Sequence, residues 1–264
     1  MSIFNTIMHE SASLFRFIKL FALANLQHRD GIMQDRSALL AQLRSEIASY
    51  AMRAGRTLSS LTIVAISKAQ PPERIADVVR AGIRDIGENY AQELVAKYRA
   101  LEHLPIRWHF VGRLQTNKVK FIVPIVHLVH SVDRERLAHE LDREAARVGK
   151  RLDILIQVNT SGEPTKGGVP PHVVHELLGS ILQMKHLEPR GLMTLAGLGQ
   201  GSEEVRHEFR LLRTLRDELA HDFGLEHFTE LSMGMSSDYP IAIEEGATIL
   251  RLGTRIFGDR PAHA

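Results

Sequence analysis

Lys68 stands directly after the apolar run Leu61-Thr62-Ile63-Val64-Ala65-Ile66-Ser67. A primary amine on a flexible stem at the end of a buried strand is placed to attack an aldehyde, because burial and neighbouring cations favour the neutral, nucleophilic form of a lysine. A lysine that merely snorkels at a strand end would occupy the same position. Further along, Leu231-Ser232-Met233-Gly234-Met235-Ser236 and Arg251-Leu252-Gly253-Thr254 each combine glycine with a hydroxyl. Glycine lets backbone N–H groups approach closely and Ser or Thr donates to oxygens, which is what phosphate recognition requires. Arg251, two residues before Gly253, needs an acceptor, and a carboxylate such as Glu88 is one possible partner. Asn89, in Gly87-Glu88-Asn89-Tyr90, offers an amide to a ring substituent. His109 reads as a core histidine and Tyr90 as a packing residue at a helix start.

These positions matter only if the chain brings them to one place. After a helical stretch from about Arg36 to Ala54, short apolar runs alternate with longer amphipathic segments. Eight strands are expected, at Leu61–Ser67, Ile83–Gly87, Arg107–Val111, His127–Val132, Leu152–Asn159, Arg190–Leu195, Phe228–Ser232 and Ile249–Leu252. Helical patterns separate them, at Pro72–Ala81, Tyr90–Leu101, Asn117–Phe121, Arg134–Val148, His172–Met184, Glu203–Phe223 and Asp238–Glu245, with Asp133 expected as an N-cap. Runs such as Ile154-Leu155-Ile156-Gln157-Val158 are nearly continuously apolar, as in parallel sheets covered by helices. The expected fold is an α/β single (β/α)8 TIM barrel with an extra N-terminal helical segment. A doubly wound open sheet shares the periodicity. In a barrel, Lys68, Asn89, Ser232, Arg251, Gly253 and Thr254 all fall at or near the C-terminal strand ends, where such barrels carry their sites.

Composition narrows the chemistry. The 264 residues include no cysteine, which removes thiolate nucleophiles, disulfides and sulfur-ligated metal sites. The net charge of +2 is dispersed, so nucleic acid is not an expected partner. Residues 1–35 form an extension of uncertain order, and residues 36–264 a single domain. Within the extension, the apolar stretch Leu14–Leu23 is broken by Arg16 and Lys19 and falls short of the roughly 20 apolar residues a membrane span needs. It reads as a surface segment or a weak membrane-surface helix, and the body as cytoplasmic.

Three patterns carry less. Gly197, Gly199 and Gly201 lack the spacing and position of a dinucleotide turn. His127 and His130 should point to opposite sides of a strand, and no histidine group has metal-ligand spacing. Arg206, Arg210, Arg213 and Arg216 read as a solvated helix face.

Taken together, Ala65-Ile66-Ser67-Lys68, Gly87–Glu93, Arg107–Lys118, Ile156–Asn159, Gly191–Thr194, Leu231–Asp238 and Arg251–Gly258 resemble the pyridoxal phosphate homeostasis protein family, in family order from about Arg36 to Arg260. The resemblance implies a single barrel similar to the N-terminal domain of alanine racemase, with pyridoxal 5'-phosphate (PLP) held as an aldimine on Lys68. It further implies that Ser232, Gly253 and Thr254 hold the phosphate, that Arg251 faces the pyridine nitrogen, and that Asn89 contributes to the site. An arginine there leaves that nitrogen unprotonated and the ring a weaker electron sink. The implied role is a carrier or buffer in vitamin B6 homeostasis, without dedicated turnover, passing PLP to PLP-requiring apo-enzymes. A monomer is expected. The rival reading is a PLP-dependent amino-acid racemase, disfavoured because no β-rich segment supplying a catalytic tyrosine follows the barrel; a sugar-aldehyde aldolase is weaker still. The chain departs from the family pattern at Ala69-Gln70-Pro71, where Thr-Lys-Pro is usual. It departs again at Thr165-Lys166-Gly167-Gly168 and at Arg255, where a small residue is common.

Overall fold

The computed structural model describes residues 36–163, 165–197 and 201–258. The expected Leu14–Leu23 surface segment and part of the Gly197–Gly201 turn lie outside the described residues. Eight strands, β1 (Thr62–Ile66), β2 (Asp85–Glu88), β3 (Arg107–Phe110), β4 (Leu128–Val132), β5 (Leu152–Gln157), β6 (Leu187–Met193), β7 (Glu230–Ser232) and β8 (Ile249–Leu252), close into a barrel in chain order. All pairings are parallel, and β1 pairs with both β2 and β8, which excludes the open sheet.

Helix α1 covers residues 36–53. Then follow α2 (Pro72–Arg80), α3 (Ala91–Leu101), α4 (Val119–Ile122), α5 (Glu135–Arg147), α6 (Val174–Leu182), α7 (Ser202–Asp222), α8 (Tyr239–Glu244) and α9 (Thr254–Phe257). Pro72 opens α2, where its missing N–H costs nothing. The N-cap of α5 is Arg134 and not Asp133, whose carboxylate instead pairs with the Arg134 guanidinium. Among the described residues no helix is long and apolar enough to cross a membrane.

The two-residue period of the strands sorts their side chains. Ala65, Ile86, Phe110, Val129, Ile154, Leu192, Leu231 and Leu250 face outward into the main core with the helices. Val64, Leu128, Leu155, Met193 and Ile249 form a small apolar cluster inside the barrel. Alternation with the outward Ile86, Phe110 and Leu231 puts Asp85, His109 and Ser232 inside, and counting by twos from the inner Leu128 and Ile249 puts His130 and Arg251 there too. Glu88 shares the parity of Ile86 and turns outward.

Strand β6 begins three residues before its expected start at Arg190, because Pro189 and Gly191 fit a bulge. Pro189 lies opposite Ile154 and Gly191 opposite Leu155, so Arg190 is the extra residue. Gly191 has φ 153°, and a Cβ there would stand 2.0 Å from the Glu230 carbonyl oxygen. Only glycine permits that approach.

The arginine stripe of α7 does more than face solvent. Arg206, Arg210 and Arg213 converge on the buried Glu245 carboxylate just past α8, at 3.0, 3.0 and 3.4 Å. Arg255 is similarly committed: it pairs with Glu46 of α1, tying the last short helix to the N-terminal one. His127 and His130, three residues apart, both pack against His109, with ring centroids at 5.7 and 5.2 Å. His127 stands just before β4, outside the strand alternation that places His130 inside.

Candidate functional site

Lys68 continues the inner parity of Val64 and Ile66 and so lies over the barrel mouth, half-buried. Its amine has no hydrogen bond or ion pair among the described residues; it sits 5.0 Å from the centroid of the Tyr90 ring. Tyr90 is the N-cap residue of α3 and is exposed, so the expected packing residue is instead a platform under the lysine.

The carboxylates near Lys68 in the fold are engaged by another lysine. Lys97 of α3 is buried and donates to the Ser67 carbonyl at 2.7 Å, to Glu93 at 2.7 Å and to Glu88 at 3.2 Å. Glu88 is therefore the partner of Lys97 and not of Arg251. Glu93 also accepts the Ala69 N–H at 3.1 Å. Ala69 has φ 58°, a left-handed conformation that costs a non-glycine residue of order 1 kcal/mol and persists where neighbours enforce it. A brace of Lys97, Glu93 and Ala69 thus fixes the turn that carries Lys68. Lys97 was legible as a lysine in the apolar stripe of α3, since it shares the buried face with Leu94 and Leu101.

Burial pushes the Glu88 carboxyl up to about 7, against the opposing attraction of Lys97. Between its ordinary value of 4.5 and about 7 the folded chain holds a proton that the unfolded chain has lost. Stability contributed by Glu88 therefore falls as pH rises through that window. Glu88→Gln is expected to flatten the pH dependence there, which urea melts at pH 5 and pH 7.5 would measure.

On β8, the strand next to β1, Arg251 lies level with Val64 and is fully buried. It donates to Ser232 Oγ at 2.7 Å and to the Thr194 carbonyl at 2.7 Å, and burial lowers its pKa to about 10. A guanidinium carries five N–H donors, so further ones remain for another acceptor. Ser232 Oγ lies 2.8 Å from His130 Nδ1, His130 Nε2 lies 2.9 Å from His109 Nδ1, and His109 Nε2 lies 3.0 Å from Asp85 Oδ1.

The donors at the two ends of this chain are fixed. Arginine only donates and an ionised aspartate only accepts. Burial, with repulsion from His109 and Arg251, holds His130 well below the usual histidine range, so it is neutral. Burial raises Asp85, but hydrogen bonds from His109 and Arg107 outweigh this and leave it below the usual carboxylate value. With His130 neutral, every group has a partner: Arg251 donates to Ser232, His109 Nε2–H donates to Asp85, and His130 bonds to both Ser232 and His109. The Asp85 end opens on a cavity of about 290 Å³ at the N-terminal ends of the strands, lined also by Arg107, His127 and Asp153.

Ser232 is thus occupied on both sides within the barrel interior. Ser232→Ala is expected to leave Arg251 and His130 each short of a buried partner, at about 1–3 kcal/mol of stability. Chemical denaturation without phosphate would measure this; a hydroxyl serving only a phosphate would leave that stability unchanged.

Gly253 and Thr254 lie at the start of α9, and Ser236 Oγ approaches the Arg255 N–H there at 3.5 Å. Neither the φ of −106° nor crowding demands glycine at 253, since an added Cβ would meet only Ile66, at 3.7 Å. Its absent side chain leaves the backbone accessible. Asn89 Oδ1 is buried and has no hydrogen-bond partner. Tyr239 is directed elsewhere: its hydroxyl donates to Glu46 at 2.5 Å, and burial with that contact raises its pKa to about 12. The described residues contain no group of acids and histidines able to hold a metal ion.

The site therefore offers a free amine, a buried cation, an unpartnered amide oxygen and an open glycine backbone beside hydroxyls. The chain as a whole is similar to known proteins. The family described as "Alanine racemase, N-terminal domain" matches residues 40–261. The pyridoxal phosphate homeostasis protein of Aquifex aeolicus is 44% identical over 221 residues, covering 84% of this chain and 96% of that protein. Its Escherichia coli K12 counterpart is 37% identical over 235 residues, covering 86% and 98%. Among solved structures, PipY of Synechococcus elongatus with PLP bound is 38% identical with a TM-score of 0.76, covering 84% of this chain and all (100%) of that one. Alanine racemase from Corynebacterium glutamicum, 14% identical with a TM-score of 0.63, covers 84% of this chain and 62% of that one, and shares the fold alone. With this barrel, these motifs and such identity over most of its length, the chain belongs to the pyridoxal phosphate homeostasis protein family.

Proposed function

We propose that the protein binds PLP as an aldimine on Lys68 and acts as a carrier or buffer of the cofactor without dedicated turnover. The observation that carries this reading is the unpaired Lys68 amine, on the same barrel mouth as the buried Arg251. The PLP-bound relative and the homeostasis proteins at 37–44% identity support it. When bound, PLP supplies an aldehyde that condenses with a primary amine. The residues present fit it. The Lys68 amine, with Glu88 and Glu93 drawn to Lys97, is left for the aldehyde. Gly253 and Thr254 present a backbone and a hydroxyl to the phosphate, and Ser236 takes the part expected of Ser232. Arg251 donates toward the ring nitrogen, and Ser232 holds it there. Asn89 Oδ1 receives a polar ring substituent.

A carrier needs no group to move the α-proton of an amino acid, and Tyr239 is committed to Glu46. Incubation of the PLP-loaded protein with L-alanine in heavy water should give no sustained α-deuterium exchange and no D-isomer. The same preparation should restore activity to a PLP-requiring apo-enzyme. Exchange with formation of the D-isomer would make a racemase the better reading.

A further inference from the structure

We infer that a second anion subsite lies beside the barrel mouth, between the ends of β2, β3 and β4, built to take the phosphate or carboxylate group of a small molecule. A cavity of about 540 Å³ there is lined by Asn89, Tyr90, Arg113, Gln115, Lys118 and Arg134, among others. That is the size of a small-molecule site. Three of the lining residues are cations and none of the ten is a carboxylate.

Two observations show that the wall is built. A Cβ on Gly112 would stand 2.2 Å from the Asn89 carbonyl oxygen, so glycine is required for the loop after β3 to close against Asn89. From the other side Arg134, itself paired with Asp133, donates to the Leu114 carbonyl at 2.8 Å and props the same loop. The loop held in this way carries Arg113 and Lys118. Among the described residues neither side chain makes a hydrogen bond or an ion pair, whereas the side chains of Arg107, Arg147, Arg151, Arg190 and Arg206 all pair with carboxylates. Two unpaired cations on a braced wall whose lining holds no carboxylate favour an anionic occupant. Tyr90 lies both in this wall and under the Lys68 amine. The subsite is therefore continuous with the mouth, across it from Gly253 and Thr254.

This inference rests on the PLP reading only in its distinction from a phosphate site at Gly253 and Thr254. The full chain, loaded with PLP, would be titrated with inorganic phosphate and separately with succinate at constant ionic strength, by calorimetry. Saturable binding of at least one probe is expected, weakened about tenfold or more in Arg113→Ala/Lys118→Ala, since charge-assisted hydrogen bonds are lost. The PLP absorption band and thermal melt should be unchanged in that variant, because neither side chain holds a partner in the fold. A parallel titration of unloaded Thr254→Ala protein keeps the outcome separate from PLP binding: probe binding should survive there and still depend on Arg113 and Lys118. No saturable binding of either probe, or binding indifferent to the double substitution, would overturn the subsite. Binding lost with Thr254→Ala alone would do the same, since a single anion site would then exist.

Discussion

Lys68→Ala is expected to abolish covalent retention of PLP while leaving the fold intact. The Lys68 amine makes no hydrogen bond or ion pair among the described residues, and its one recorded neighbour is the exposed Tyr90 ring. Its removal should change stability by no more than about 0.5 kcal/mol, as for surface substitutions away from special features. The phosphate and ring contacts proposed for Thr254, Gly253 and Arg251 come from β8 and its loop, at the far edge of the Lys68 strand. Noncovalent binding should therefore persist, weakened about a hundredfold, or ~3 kcal/mol at 1.4 kcal/mol per factor of ten. Equilibrium dialysis and the aldimine absorption band separate the two quantities. Loss of folding along with binding would make Lys68 a structural residue.

The largest effect on stability should come from Lys97→Met. The fully buried Glu88 would lose its cation, and breaking one partner of a buried pair typically costs about 3–5 kcal/mol. Because the Glu88 carboxyl is already pushed up to about 7, protonation relieves part of this cost at low pH. The destabilisation should thus be greater at pH 8 than at pH 5. Adding Glu88→Leu to Lys97→Met should recover much of the loss, since an apolar replacement of both partners leaves no buried charge unpaired. Urea melts of both variants at the two pH values test this. A loss independent of pH and not recovered by the second substitution would place the role of Lys97 with the Ser67 carbonyl and Glu93 instead.

How far the sequence could be read depended on which physical signal each part carries. Apolar runs of parallel strands and the spacing of amphipathic helices are local, so the eight strands and their helices were legible, with β8 at its observed bounds. Barrel closure is not local, and only the pairing of β1 with β8 decides it. Pro189 concealed the start of β6 because a proline argues against a strand unless a bulge accommodates it.

Within the site, Lys68 was legible from its place after β1, and the phosphate-type loop from its glycines and hydroxyls. The partners were not. Ser232 was grouped with Gly253 and Thr254 by its loop, yet strand parity sends its hydroxyl inward to Arg251 and His130. The same parity, applied to β2, turns Glu88 outward to Lys97. Counting from the outward apolar residues Ile86 and Leu231 would have found both. The Asp85–His109–His130 chain joins β2, β3 and β4, and no spacing along the sequence signals it. Arg255, which departs from the family pattern, has its partner Glu46 on α1, far off in the sequence.

Lys68 is proposed as the residue that holds PLP. Borohydride reduction of the yellow, PLP-loaded protein, followed by proteolysis and mass mapping, tests this directly. A single phosphopyridoxyl group on the peptide containing Lys68, absent from the Lys68→Ala variant, is the expected result. A reduced adduct on another lysine, such as Lys97 or Lys118, or no adduct on protein that carries the PLP absorption band, would contradict it.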